Sequence, residues 1–263
     1  MRRIFCHESG ATRSCLILPT WNHLWFVAYL WVYTLLLIAL VGGGSKIVGL
    51  VEAKLPTFVV GALLLPAAIL CGARVFLFPI FRETHALADD WYAHAVYFLV
   101  FAFGFFIARA ETIWNAIERW RWTALILAVA AYSIVIITRF VLVDPSLLGQ
   151  LTPVRQCAYG LQQWFAILAA LGFGRRWLNF RDSPTRRYFT DAVFPYYIVH
   201  QTIIVAVVFA LKPHGFTAAS EAAIVIAATV VGCAATYEIV RRLPPLRPLF
   251  GLKPPARPAF AAG

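Results

Sequence analysis

Apolar runs of about twenty residues recur along the chain, and they constrain the fold more than any other feature. Residues 22–41 and 190–211 are two examples. A run of this length crosses the hydrocarbon core of a membrane as an α-helix, whereas the strands of a membrane barrel are shorter and alternate. The composition agrees, because 61% of residues are hydrophobic, only 13% are charged, and the mean hydropathy is +0.75. The sequence therefore predicts an integral membrane protein of the all-α class, a polytopic transmembrane helical bundle.

The alternation of apolar and polar stretches predicts about seven spans. Between the third and fourth, residues 109–122 place isoleucines and tryptophans at helical spacing among charged residues, which is typical of a short interfacial helix. We divide the chain into a leader of unassigned role at 1–20, a transmembrane domain at 21–243 and a proline-rich tail at 244–263. The spans are expected at residues 22–41, 55–73, 91–108, 123–138, 154–174, 190–211 and 217–240.

Basic residues outnumber acidic residues by 23 to 12, which gives a formal net charge of +11. They lie mainly between the apolar runs, so membrane topology and anionic lipid headgroups explain them without a nucleic-acid partner. With alternate connections assigned to opposite sides, 8 of them fall on the side of the amino terminus and 15 on the side of the tail. The positive-inside rule then predicts a cytoplasmic tail and an external amino terminus.

The most informative stretch is TDAVFPYYIVHQTIIVAVVFAL, because it carries polar groups inside a membrane-length apolar run. In a helix, His200 lies roughly 13 Å beyond Asp191, close to the midplane of the membrane. An ionisable side chain at this depth usually faces a bundle interior or a wet cavity, which predicts a functional site. The alternative is a neutral histidine that only hydrogen-bonds a neighbouring helix. The candidate catalytic residues are His200, Tyr197, Gln201 and Asp191.

Three other patterns have both a chemical and a structural interpretation. His85 and Asp90 have the spacing of an acid that orients a histidine base, but the family's other motifs do not accompany them, and we favour a polar loop. Polar residues at 155, 156, 162 and 163 form one stripe of a predicted helix, which either lines a cavity or hydrogen-bonds between helices. The five cysteines show no close pairing and no metal-ligand spacing, so we interpret them as small buried hydrophobes and expect no bound metal.

Four segments resemble the acyltransferase 3 family, and most closely its glucan biosynthesis protein C group. They occur in the family's order and are similar to the carboxyl-terminal two-thirds of its members. The segments are HLWFVAYLWVYTLLL at 23–37, ETIWNAIERWRW at 111–122, TDAVFPYYIVHQTIIV at 190–205 and YEIVRRLPPLRPLFGLK at 237–253.

The resemblance implies a bacterial inner-membrane O-acyltransferase with its carboxyl terminus in the cytoplasm. Such an enzyme moves an acyl group, succinyl in the glucan group, from cytoplasmic acyl-CoA to an extracytoplasmic glucan or other glycan. The implied partners are membrane lipids, acyl-CoA as donor substrate and the glycan, with no bound cofactor. Family members have about ten spans and a histidine base in the first, so the resemblance also implies three further spans ahead of this chain.

In the implied reaction, a base takes the proton from a sugar hydroxyl as the hydroxyl attacks the thioester carbonyl. We expect His200, Tyr197 and Gln201 to orient the substrate or that base. At the external end of the first span, His23 beside Trp25 is the candidate contact for the sugar, and the alternative is an interfacial histidine with no role. Two arginines between spans suit coenzyme A phosphates, although the positive-inside rule explains them equally well. They are Arg175 and Arg176.

The competing interpretation is a membrane protein without acyl-transfer activity, either an inactive fragment or a transporter. Transporters commonly contain internal repeats. We find no internal repeat across the predicted spans, which favours the enzyme over the transporter.

Overall fold

Helices form almost all of the chain in the computed structural model, which describes residues 3–9, 12–18, 24–43, 45–54, 57–85, 87–141, 145–178 and 183–253. The chain divides into two compact units, and each is described by itself. The amino-terminal unit comprises Met1–Phe180 and the carboxyl-terminal unit Arg181–Gly263. The described chain is mainly helical, and several of its helices are long and apolar enough to span a membrane. The prediction of an all-α membrane bundle is confirmed.

The elements follow one another with short connections. The leader forms an antiparallel hairpin of two strands, whose register runs from Arg3 opposite Leu18 to Ser9 opposite Thr12. Helix α3 continues into a π-helical turn at Ala73–Leu77, and α6 continues into another at Ile137–Val141. The bounds are β1 Arg3–Ser9, β2 Thr12–Leu18, α1 Trp25–Gly43, α2 Ser45–Lys54, α3 Val59–Gly72, α4 Trp91–Ile107, α5 Glu111–Arg119, α6 Arg121–Ile136, α7 Pro145–Gln150, α8 Thr152–Leu178, α9 Pro184–Leu211 and α10 Ala218–Arg242.

Five helical stretches of the described chain are long and apolar enough to cross a membrane. A sixth is present if α4 and α5, which are bent by 113° relative to each other, form one broken span or re-entrant loop. The predicted fifth span corresponds to α8, which has 27 residues but is made more polar by its glutamines and arginines. The five stretches are Trp25–Gly43, Val59–Leu77, Arg121–Phe140, Pro184–His214 and Ala218–Arg242.

Helix α8 is central to the amino-terminal unit, because it packs against α3, α5 and α6. Two glycines allow close approach: a Cβ at Gly160 would lie 2.7 Å from the carbonyl oxygen of Leu70, and one at Gly172 would lie 2.7 Å from that of Ile117. Between them, the fully buried Trp164 donates its indole N–H to the carbonyl of Leu63 at 2.7 Å. Small residues at helix contacts and a satisfied indole are the usual means of packing helices in membranes.

A disulfide joins Cys71 at the end of α3 to Cys157 near the start of α8. The interpretation of these two cysteines as small buried hydrophobes was therefore wrong. Their separation of 86 residues explains the error, because no local spacing signals such a bond. Cys233 in α10 is buried and free, as that interpretation expected.

The carboxyl-terminal unit consists of α9 and α10 followed by a short ordered segment. The side chain of Ser183 caps α9 by accepting the N–H of Arg186 at 3.1 Å, and α9 then continues through Pro195 to Leu211. After α10, Arg247 donates to the carbonyls of Arg241 and Lys253, both at 2.8 Å. The start of the predicted tail is therefore folded into turns, and residues 254–263 lie outside the described chain.

Candidate functional site

His200 lies in the middle of α9 with its ring half-buried. Its Nδ1 is 2.9 Å from the carbonyl oxygen of Tyr197 and 3.2 Å from that of Tyr196, one turn earlier in the same helix. A carbonyl oxygen can only accept, so Nδ1 carries the proton in these bonds. In the neutral ring, Nε2 is then the nitrogen that accepts a proton. A histidine whose tautomer is fixed in this way can serve as a base or as an acceptor for a substrate hydroxyl.

Tyr197 accompanies His200 on the same face of α9, with 5.8 Å between the ring centroids, and Gln201 follows directly. Asp191 lies elsewhere, in a cavity of about 640 Å³ between the start of α9 and the end of α10. The cavity is also lined by Pro184, Arg187, Tyr188, Tyr237 and Arg241, and His200 is not part of its lining. The structure therefore places Tyr197 beside His200, puts Gln201 next to them in the chain, and gives Asp191 different surroundings.

Trp25 begins α1, and its ring packs on the ring of His85 with 4.1 Å between centroids. His85 in turn approaches Glu83, with Nε2 3.4 Å from Oε1, and Tyr97 donates its hydroxyl to the same oxygen at 2.6 Å. The side chain of His85 is 43% exposed. This group, an aromatic face beside an accessible histidine and a carboxylate, offers what a sugar requires for stacking and hydrogen bonding. The other predicted sugar contact, His23, lies outside the described residues.

Arg175 and Arg176, near the end of α8, meet the acidic residues of α5. The guanidinium of Arg175 forms ion pairs with Glu111 at 2.8 Å and Glu118 at 3.3 Å, and donates to the Asn115 side chain at 2.9 Å. Arg176 lies 3.6 Å from Glu118. Because two carboxylates already neutralise it, Arg175 serves to hold α5 against α8. The residues around Arg175 in the sequence do not predict these ion pairs.

The sequence pattern did not predict a polar cluster around Asp90. Asp90 is fully buried at the start of α4, and its carboxylate accepts the Tyr29 hydroxyl at 2.7 Å. It also accepts the backbone N–H groups of Thr84 at 3.2 Å and His85 at 2.9 Å. We call Asp90, Tyr29, Tyr33 and His94, with the backbone they bind, the Asp90 network. It fastens the 78–90 loop to α1 and α4.

His94 completes the Asp90 network and uses both of its ring nitrogens there. Nε2 lies 2.7 Å from the carbonyl oxygen of Leu87 and must donate to it, so in the neutral ring Nδ1 accepts the Tyr33 hydroxyl at 3.0 Å. The ring also stacks on Tyr29 with 4.7 Å between centroids. The network therefore leaves no ring nitrogen of His94 for a substrate.

The spacing of His85 and Asp90 does not produce an acid–histidine pair in the described structure. Asp90 accepts the backbone N–H of His85, whereas the imidazole approaches Glu83. The loop between them has left-handed backbone angles at three residues that are not glycine, with φ of 54° at His85, 60° at Leu87 and 64° at Asp89. Such strained residues persist only where surrounding contacts hold them. The Asp90 network supplies those contacts, which supports the polar-loop interpretation.

The predicted polar stripe of α8 serves two purposes. Gln156 accepts the Nε–H of Arg74 at 2.9 Å, and Arg74 also donates to the Tyr92 hydroxyl at 3.0 Å. The guanidinium of Arg74 lies 3.7 Å from the centroid of the Phe78 ring. Gln163 faces a separate apolar cavity within the amino-terminal unit. Within the stripe, Gln156 therefore bonds α8 to the turn that carries Arg74, and Gln163 lines a cavity.

Comparison with known proteins gives one match. The family model of an acyltransferase domain, that of the acyltransferase 3 family, matches residues 8–238. This range extends over both units and contains both candidate groups, the one around His200 and the one around Trp25. No curated protein and no solved structure matches the chain significantly.

Proposed function

The chain belongs to the acyltransferase 3 family, and from this premise we propose that it is an integral membrane O-acyltransferase. It moves an acyl group from acyl-CoA to an extracytoplasmic glucan or other glycan. The observation that carries the proposal is the family match over residues 8–238, together with five helices of membrane-spanning length and composition. We place the protein in a bacterial inner membrane with its carboxyl terminus in the cytoplasm, as the distribution of basic residues favours.

The disulfide supports this orientation independently of charge. Cys71 and Cys157 lie at the ends of α3 and α8 where Arg74 meets Gln156. Disulfides persist in oxidising compartments such as the periplasm and are rare in the cytosol. The predicted topology puts the same helix ends outside. Two unrelated arguments therefore favour an extracytoplasmic position for Trp25, His85 and the Asp90 network, on the side where the glycan acceptor is found.

His200 is our candidate for orienting the acceptor hydroxyl. With Nδ1 held by the Tyr197 carbonyl, Nε2 accepts a hydrogen bond from the hydroxyl that attacks the thioester carbonyl. The C–O bond of the ester forms, the C–S bond breaks, and coenzyme A leaves as its thiol with the proton of the hydroxyl. Tyr197, on the same face of α9, and Gln201, the next residue, carry a hydroxyl and a carboxamide, and we assign these donors to stabilising the oxyanion that forms. Asp191, with Arg187 and Arg241 in its cavity, contributes on the donor side.

We assign Trp25 to contact with the sugar, together with its neighbours His85 and Glu83. We assign Arg176 to binding the phosphates of coenzyme A, since 51% of its side chain is exposed. The assignment is weaker for Arg175, because phosphate would have to displace the carboxylates of Glu111 and Glu118. The acyl unit is succinyl in the glucan group of the family, and this is the first donor to try.

The test is acylation of glycan by membranes from cells that express the chain, alone and together with any coding sequence directly upstream. Acyl-CoA with an isotope-labelled acyl group is added, and the acyl content of the glycan is measured by mass spectrometry. We expect His200→Ala to lower transfer about 100-fold, the usual size of a lost acid–base or orienting group. The matched control is His214→Ala, because His214 is exposed after α9.

Unchanged acyl content with His200→Ala would remove His200 from the site. A wild-type chain that inserts into the membrane but transfers no labelled group in either arrangement would overturn the enzyme proposal. That result would favour the inactive protein or transporter instead.

A further inference from the structure

A second cavity lies within the amino-terminal unit, and its lining is almost entirely apolar. Its volume is about 440 Å³, within the range of roughly 300–1,000 Å³ that is typical of small-molecule sites. Side chains from α1, α3, α4 and α8 form its walls, so it lies between these four helices. The apolar walls include Phe26, Leu70, Val96, Val100, Phe101 and Ile167.

Two polar side chains reach the cavity, and they differ in their bonding. Tyr97 donates its hydroxyl to Glu83, so its polar end belongs to the group at Trp25. Gln163 comes from the stripe on α8, and its buried Oε1 has no hydrogen-bond partner in the described structure. An unsatisfied buried acceptor is costly, and native structures contain few of them. A ligand with a donor group would satisfy this atom.

We propose that this cavity binds the apolar chain of an acyl thioester, with Gln163 accepting a hydrogen bond from an amide N–H of the pantetheine arm. The chain packs against Val100, Phe101 and Ile167. This inference rests on the proposed acyl transfer and specifies its donor. A succinyl group does not fit, because none of the nine lining residues is a cation that could pair with its carboxylate.

The position of the cavity agrees with the rest of the amino-terminal unit. Tyr97 is shared between the cavity wall and the group of Glu83, His85 and Trp25. Phe26 and Trp25 are neighbours at the start of α1, with 5.8 Å between ring centroids. The cavity therefore adjoins the residues assigned to the sugar through Tyr97 and Phe26.

The test is photo-crosslinking of the purified protein in nanodiscs with palmitoyl-CoA that carries a diazirine at the end of its chain. We expect label on the peptides that contain Val100 and Ile167, located by mass spectrometry. Unlabelled palmitoyl-CoA and octanoyl-CoA should displace it, each lost methylene weakening competition up to about fourfold. Succinyl-CoA should not displace it.

Two pairs of variants make the assignment specific. Val100→Phe fills the cavity and should reduce labelling at least tenfold, whereas Val129→Phe, at an exposed position of α6, should not. Gln163→Leu should weaken competition by palmitoyl-CoA about tenfold, because it removes the acceptor, whereas Gln162→Leu should not. Ile167→Phe repeats the filling test if Val100→Phe fails to fold, as judged by its melting temperature.

Other outcomes overturn the inference. Label displaced by phospholipid but not by palmitoyl-CoA would make the cavity a lipid site, and equal labelling in Val100→Phe and Val129→Phe would exclude the cavity. The results that contradict this inference differ from those that contradict the proposed function. Transfer of labelled succinyl without labelling of the cavity contradicts only this inference, whereas labelling without any transfer to glycan contradicts only the enzyme proposal.

Discussion

The two units differ in the hydrogen-bond partners of the polar groups in their helices. In the amino-terminal unit, Asp90 and His94 bind tyrosines 61 residues away in sequence, and Arg74 binds Gln156 at a separation of 82. In the carboxyl-terminal unit, His200 binds carbonyls three and four residues earlier in its own helix. The first arrangement joins helices to one another. The second fixes one nitrogen of a ring.

This difference distinguishes the Asp90 network, which stabilises the fold, from His200, which is suited to the reaction. The carboxylate of Asp90 accepts three hydrogen bonds, and both nitrogens of His94 are engaged, so the Asp90 network has little capacity left for a substrate. The Nδ1 bonds of His200, by contrast, stay within its own helix and fix the tautomer of the ring. We therefore assign a structural role to the Asp90 network, and the group on α9 is the better candidate for the reaction.

The strongest test replaces the centre of the Asp90 network. Asp90→Ala leaves the Tyr29 hydroxyl and the N–H groups of Thr84 and His85 without an acceptor, which we expect to cost about 3–5 kcal/mol of folding free energy. The melting temperature in detergent, followed by circular dichroism, should fall sharply. By contrast, His200→Ala should leave the melting temperature nearly unchanged while acyl transfer is lost. A stable but inactive Asp90→Ala protein would contradict the structural role of the Asp90 network.

The disulfide is the next largest contribution, and it tests orientation as well as stability. We expect Cys71→Ser to lower the free energy of unfolding by about 2 kcal/mol, at the lower end of disulfide effects because the membrane already restrains the unfolded chain. Cys233→Ser is the matched control, since that thiol is free. In addition, protein taken from membranes with thiols blocked should gain maleimide label at Cys71 and Cys157 only after reduction. Labelling without a reductant would contradict the bond.

A glycine pair tests the packing of α8. A methyl group at Gly160 would meet backbone atoms of Leu70 and Cys71 within 3 Å, so we expect Gly160→Ala to destabilise the protein by about 1–3 kcal/mol. Gly174 in the same helix has nothing of the described structure within 4 Å of its Cβ position. Gly174→Ala should therefore be neutral or slightly stabilising, because alanine favours the helix. Equal melting temperatures for the two variants would mean that α3 and α8 are not in close contact.

Much of the fold could be predicted from the sequence because it depends on local pattern. Apolar runs of membrane length identify α1, α3, α6, α9 and α10, and alternating charges with buried isoleucines identify α5. The least certain spans were those with mixed signals. Helix α4 has only 17 residues before its bend, and α8 carries glutamines and arginines that serve packing and a cavity.

The candidate site was only partly predictable for the same reason. His200 and Tyr197 are neighbours on one helix, so their proximity follows from spacing alone. The Asp90 network, the disulfide and the ion pairs of Arg175 join residues 57 to 86 positions apart, and no local rule connects them. A buried aspartate directly before α4 and two tyrosines one turn apart on α1 were the only signals available.

The smallest effect that still distinguishes the two units is the loss of a single hydroxyl. Tyr33→Phe removes the hydrogen bond to His94 Nδ1 and keeps the ring, which remains packed near Phe98 and Phe101. We expect a loss of about 1 kcal/mol in stability, the usual worth of one hydrogen bond, and no change in acyl transfer. Tyr197→Phe on α9 is the counterpart, and we expect lower transfer at an unchanged melting temperature. If Tyr33→Phe instead lowered transfer without affecting stability, the Asp90 network would belong to the reaction, and its separation from the group on α9 would fail.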